Sequence, residues 1–361
     1  MAHQFDKSRL VTAALRNMRA LAEAIVRCVR SASTRFRQCW RRWRGRKQGV
    51  QVQIAGASDL VDRFEKLLET YDVSIPRHSQ TSADMLPLWS ILKTVSAGFE
   101  GTPDDMRCEY TAGLAVHDLA AKVLRVKDHP GFSTLIPHLQ LLAQGAVHLT
   151  QEQPADADAY NKLVEVYWAT LLMAMGTRVQ LDHPKSSNGD NPDVIALDGS
   201  GEPARAYAFK TVRSPHTQSL LDHIVKGVDQ IERCPAPEGI VAFNLTPRLL
   251  DAGLWPENGF FADWRQPAVH TIRMLRKMIS DIVTDNGQQT IDDVFAGKKA
   301  TSSILCVAFI PTVARNPDTG NAVVMPLKVA MVIHLSANSP PSIAMMAEIK
   351  GANDIMQTVL V

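Results

Sequence analysis

Two residues suggest chemistry by type and setting: Asp193 and Lys210. Asp193 follows Asn191-Pro192 and opens the apolar run DVIAL (193–197), while Lys210 interrupts the apolar run AYAFKTV (206–212). An acid at the start of a strand can hold a magnesium ion, which takes oxygen ligands. A lysine on the neighbouring strand can orient or deprotonate an attacking water and neutralise charge on a phosphate. Strand alternation puts Tyr207, Phe209 and Thr211 on one face and Ala208 with Lys210 on the other. A lysine flanked by Phe209 and Val212 is costly to bury without a partner, so an anion is expected beside it. Each residue also has a plainer reading, Asp193 as a turn residue after proline and Lys210 as an edge-strand lysine.

The elements that must carry these residues are legible from residue 155 onward. A helix over 155–176 precedes the turn-rich HPKSSNGDNP (183–192). The strands 193–197, 206–212 and 239–245 follow, with a helix over 216–233 between the last two. A long helix is expected over 268–285. The runs SILCVAFIP (303–311) and LKVAMVIHL (327–335) flank the turn NPDTGN and predict a late hairpin. Strands mixed with helices imply an α/β (α+β) layer architecture. Residues 49–150 read as an all-helical region. Ser58 is expected to cap its first helix, a second covers about 84–98, Thr102-Pro103 start a third, and a fourth runs over about 131–148.

In order of elements, residues 160–245 resemble the core of the PD-(D/E)XK nucleases. A helix carries Glu165 in NKLVEVYWATLL and ends near Gly176. Asn191-Pro192-Asp193 opens a strand, YAFKTV carries Lys210, and a helix with Lys226 and Gln230 (HIVKGVDQIE) precedes the apolar strand GIVAFNL. The resemblance implies a restriction-endonuclease-like mixed sheet flanked by helices over 151–361, and Mg2+- or Mn2+-dependent hydrolysis of DNA. It also implies Asp193, Lys210, Glu165 and Gln230 as site residues, with Asp193 and Glu165 on the metal. The context it suggests is bacterial defence or a mobile element. One position departs. The acid or glutamine two residues before the lysine is Ala208 here, and alanine cannot ligate metal. The missing ligand then comes from elsewhere, with Glu165 first and Asp190, Glu202 or Gln230 behind it. Otherwise cleavage is lost and a nucleic-acid-binding or assembly protein remains. Glu165 borders the apolar stripe of its helix, a position that suits a rim ligand or a solvated carboxylate alike.

Charge is unevenly spread. Residues 1–48 hold 13 of the 39 Lys/Arg but only Asp6 and Glu23 of the 37 acids, a net +11. Against a chain total of +2, the remainder sums to −9. An amphipathic helix, or two in series, is expected over 8–47, with its densest basic patch at Arg37, Arg41, Arg42, Arg44, Arg46 and Lys47. That segment suits a nucleic-acid backbone, an anionic membrane surface, assembly through its apolar stripe, an organellar transit peptide, or a solvated helix face, and a nuclease that cuts both strands would suit a homodimer. Lys226 joins that segment as a candidate nucleic-acid contact.

Other chemistries find little support. The five cysteines are scattered without a CxxC pair, as reduced cysteines of a cytoplasmic protein would be. No stretch approaches the roughly 20 apolar residues of a membrane span. There is no GxSxG, GxxxxGK[ST], HExxH or GxGxxG. Glu348-Ile349-Lys350 repeats the ExK pattern but lacks a strand-opening aspartate, and nothing in the spacing of His216 and His223 requires a ligand.

Overall fold

Apolar runs of strand length alternate with amphipathic helices through the C-terminal two thirds, and the chain folds as that alternation dictates. The structure, a computed structural model, describes residues 50–52, 56–75, 85–101, 103–149, 158–183, 190–249, 254, 261–315 and 322–358. The expected N-terminal helix over 8–47 lies outside the described residues.

The region 50–149 is mainly helical: α1 Ala57–Thr70, α2 Leu88–Ala97, α3 Pro103–Arg125 and, after a 3-10 turn at Phe132–Leu135, α4 Ile136–Gln144. It is not all helix. β1 Val50–Val52 pairs antiparallel with β3 Phe99–Gly101, and β2 Met85–Pro87 pairs antiparallel with β4 Ala146–Leu149. These short pairs replace the ends of the helices expected over 84–98 and 131–148. Nor does Ser58 cap α1: the helix begins at Ala57 behind Gly56, without a side-chain cap.

The rest is a six-stranded mixed sheet with helices around it. In chain order come α5 Asp158–Ala174, β5 Val179–Leu181, β6 Val194–Leu197, β7 Pro203–Thr211, α6 Thr217–Arg233, β8 Glu238–Asn244, α7 Thr246–Leu249, α8 Arg265–Asn286, α9 Gln288–Phe295, β9 Ala300–Arg315, β10 Ala322–His334 and α10 Ile343–Gln357. The strand order is β10-β9-β8-β7-β6-β5. β7, β8 and β9 run parallel, while β5–β6, β6–β7 and the β9–β10 hairpin are antiparallel. The fold is therefore mixed α/β, as the alternation of runs predicts.

Both faces of the sheet are buried, which explains why its central strands read as continuous apolar runs. On one face Tyr207 and Phe209 join a core with Trp168 and Leu172 of α5, and that core continues through Phe64, Leu92 and Leu139 of the N-terminal helices. On the other, Ala206, Ala208, Val241 and Phe243 pack with Ile224, Val228 and Ile231 of α6 and with Leu275 and Ile279 of α8. Residues 57–143 and the sheet thus share one core.

Candidate functional site

The geometry begins with a length mismatch between strands. β6 pairs with β7 only as far as Val194↔Tyr207, while β7 runs on to Thr211 against β8 alone. Residues past Tyr207 have no strand on the β6 side, and the backbone groups there need partners. Asp193, immediately before β6, meets part of this need. Its Oδ2 accepts the Phe209 N–H at 2.7 Å. The carboxylate stands where a longer β6 would have offered a carbonyl, and it is 8% exposed.

Two helices bring side chains to this corner, one from each face. α5 brings Glu165, 4% exposed. One turn later Trp168 is wholly buried, its ring centroid 5.5 Å from that of Tyr207 and 6.1 Å from that of Phe209. This aromatic contact sets the height of α5 over β7. The helix ends in a Schellman motif in which Gly176, at φ 87°, donates to Met173 O and Thr177 donates to Leu172 O. From the other face α6 brings Gln230. A Cβ on Gly227, one turn earlier, would lie 2.8 Å from Val241 Cγ2, so only glycine lets the helix approach β8 this closely. Lys210 then reaches Gln230: its Nζ donates to Gln230 Oε1 and, at 3.0 Å, to the Phe209 carbonyl. The same ammonium lies 4.0 Å from Asp193 Oδ2.

All four residues expected from the resemblance therefore meet at one corner of the sheet, and Lys210 faces an acidic partner. A fifth was missed. Lys162, one turn before Glu165, places its Nζ 2.7 Å from Glu165 Oε2 and 3.5 Å from Asp193 Oδ1. Its signal was present as an i, i+3 Lys–Glu pair within NKLVE. Such pairs are common on exposed helix faces, and nothing in the spacing distinguishes this one.

The electrostatics follow from crowding two carboxyl groups into a largely dry corner. Burial first, and then the charge of the adjacent Asp193 carboxylate, holds the Glu165 carboxyl well above the usual carboxylate range. Burial alone would lower Lys162, but the Glu165 and Asp193 carboxylates outweigh it and raise the ammonium above its ordinary value. Lys210 is lowered, chiefly by burial, against the pull of Asp193 and Glu165. His138, whose Nε2 lies 3.0 Å from the Asp182 carbonyl, is pushed down to about 4 by burial and by the charge of Lys162.

Other expected residues fall elsewhere. Glu165 is buried, which removes the solvated-carboxylate reading. Asp190 is exposed and bound to Arg233. Glu202 sits on the β6–β7 turn, at the far end of β7 from Lys210, its N–H bound by Asp198 Oδ1 at 3.0 Å. Ala208 is wholly buried among the residues packed against α6. Lys226 is exposed on α6, where with burial and Lys210 it lowers His223. Glu348, in the second ExK string, is held on α10 by Arg205 through contacts of 2.8 and 2.5 Å, while Lys350 pairs with Asp354. Arg37, Arg41, Arg42, Arg44, Arg46 and Lys47 lie outside the described residues.

The donor set suits a hard divalent cation in type. Glu165 and Asp193 offer carboxylate oxygens from two elements, and magnesium is commonly held by one or two carboxylates together with waters and substrate phosphates. Among the described residues no group of three or more His, Cys, Asp and Glu gathers to form a fuller cage. Among those residues, too, no helix is long and apolar enough to cross a membrane. No family, curated protein or solved structure matches the chain.

Proposed function

We propose that this chain is a metal-dependent nuclease of the PD-(D/E)XK kind, acting on phosphodiester bonds of DNA at the corner formed by Glu165, Asp193, Lys210 and Gln230. One observation carries the reading. Four residues from four separate stretches of sequence, ordered as in that family, converge where β7 outruns β6. Glu165 and Asp193 would hold a magnesium or manganese ion, which would supply Lewis-acid polarisation of a phosphate oxygen and an acidified water. The lowered Lys210 ammonium, steered by Gln230 and the Phe209 carbonyl, stands where it can meet phosphate charge or exchange a proton with an attacking water. Lys226, exposed on α6, extends positive charge along one side of the site. A cytoplasmic setting suits a DNA substrate.

The test uses supercoiled plasmid with magnesium, with manganese and with EDTA, comparing wild type with Asp193→Ala and Lys210→Ala. Nicking or linearisation that needs metal and is lost in both variants is the expected result. A wild type inert on plasmid and on single-stranded DNA with both metals overturns the reading.

Buried Ala208 favours a second reading, a nuclease fold that binds nucleic acid without cutting it. Ala208→Glu separates the two. Cleavage gained by that variant over an inert wild type would identify a decayed site.

A further inference from the structure

Lys162 has a position unlike that of Lys210, and its meaning rests on reading Glu165 and Asp193 as the cation-binding pair. Lys210 is engaged by Gln230 and the Phe209 carbonyl and stays 4.0 Å from Asp193. Lys162 makes no such backbone commitment among its described contacts. Its ammonium reaches Glu165 Oε2 at 2.7 Å and Asp193 Oδ1 at 3.5 Å, one oxygen from each carboxyl group. These are oxygens that a divalent ion shared by the two groups would take, so ammonium and ion compete for one seat.

The charge requirement points the same way. Two carboxyl groups, each less than a tenth exposed, share one ammonium within 3.5 Å, an arrangement that compensates buried negative charge. Among the described residues, Lys162 is the cation closest to both groups, since Lys210 lies 4.0 Å from Asp193 Oδ2 and is also tied to Gln230. His138 is held neutral at ordinary pH, and Lys210 is turned toward α6. The Lys162 side chain keeps 13% of its surface exposed, so the ammonium has a way out toward water. An incoming divalent ion would meet that positive charge within a few ångströms, where repulsion between like charges is strong.

We propose that the Lys162 ammonium is the resident cation of the Glu165–Asp193 pair, and that a divalent ion enters only by displacing it. Lys162 is then a positioning and gating residue. It holds the two carboxyl groups together in the metal-free protein and sets a high threshold for metal entry.

Manganese alone is the probe, with free Mn2+ followed by electron paramagnetic resonance during titration of the full-length protein. K162Q and K162M are expected to bind one Mn2+ at least about tenfold more tightly than wild type, because a like charge has been removed from the seat. K162R should resemble wild type, and the K162Q/D193A double variant should lose the gained site. Equal affinity in wild type and K162Q overturns the proposal, as does gained binding that survives D193A. Circular dichroism establishes that the neutral variants fold. If neither folds, wild type decides: saturable micromolar Mn2+ binding abolished by D193A overturns the proposal, and binding confined to the millimolar range sustains it. Failure of the nuclease reading has a different signature. Plasmid left intact by a K162Q protein that binds Mn2+ sinks cleavage and leaves the resident lysine standing. Metal-dependent cleavage with equal Mn2+ affinities does the reverse.

Discussion

Glu165 carries the sharpest residue-scale consequence, because the metal-free protein holds it in the more costly of its two settings. Its folded-state carboxyl is raised, by burial first and by Asp193 second. A raised carboxyl favours folding fully below its unfolded value, about 4.3, and loses that contribution as pH climbs toward the folded value. Glu165→Gln mimics the protonated form in shape and hydrogen bonding. It is expected to raise the melting temperature at pH 7, with the gain shrinking as the buffer is taken to pH 5. Differential scanning fluorimetry at both pH values checks this, and a lower melting temperature at pH 7 would contradict it. In the plasmid assay the same substitution should abolish metal-dependent nicking. Stability and function would then pull in opposite directions at one carboxyl, as at sites where unfavourable charge is kept for chemistry. Asp193 differs because its oxygen also satisfies the Phe209 N–H. Asp193→Ala leaves that buried donor without its acceptor and is expected to cost about 1–3 kcal/mol in urea unfolding, besides ending cleavage.

At the scale of elements, the site depends on how closely two helices approach β7. Trp168 fixes α5 against Tyr207 and Phe209, and Gly227 lets α6 settle on Val241. Gly239 repeats the close fit at the start of β8, where an added Cβ would meet Ile231 Cγ2 at 2.5 Å. Gly227→Ala would drive a methyl group into a β-branched side chain with few alternative rotamers. It is expected to destabilise the fold by about 1–3 kcal/mol. By lifting Gln230 from Lys210 it should also lower kcat for any plasmid nicking more than it raises KM. Unchanged urea stability would show that the helix has slack the structure does not display.

For the molecule as a whole, the helical region and the sheet are joined by more than apolar contact. Asp118 of α3 is 7% exposed and faces Lys328 of β10 at 2.7 Å and Lys122 at 3.6 Å. The two lysines also donate to carbonyls at the end of α10, Lys328 to Met356 at 3.1 Å and Lys122 to Thr358 at 2.5 Å. Burial would raise the Asp118 carboxyl, but Lys328 and Lys122 outweigh it and hold it low. A depressed carboxyl contributes stability that is present above about pH 4 and lost as pH falls through the folded value. Asp118→Asn removes the buried carboxylate that Lys328 and Lys122 share and should cost about 3–5 kcal/mol at pH 7. The penalty relative to wild type should diminish on acidification below pH 4. Because one core spans residues 57–143 and the sheet, urea should unfold both in a single transition. A plateau between two transitions would show that the helical region folds apart from the rest.

Periodicity and turn signals placed α5, β6, β7, α6, β8, α8 and the β9–β10 pair in order, because each buried face imposes its repeat on the chain, whereas β5, α7, α9 and α10 emerge only in the structure. Periodicity also singled out Lys210, since a charge within an apolar strand demands an anion. Where local signals compete, the sequence was less decisive. The short strands at 85–87 and 146–149 were hidden in runs that also suit helix ends, and they exist because each pairs with the other across the fold. Gln230 and Glu165 were marked by resemblance, yet only the packing of α5 and α6 on opposite faces of β7 brings them to one corner. Lys162 was invisible for the same reason. An i, i+3 lysine and glutamate reads as a solvated helix pair until tertiary contact buries the glutamate and sets Asp193 beside it, since burial, unlike spacing, belongs to the whole fold.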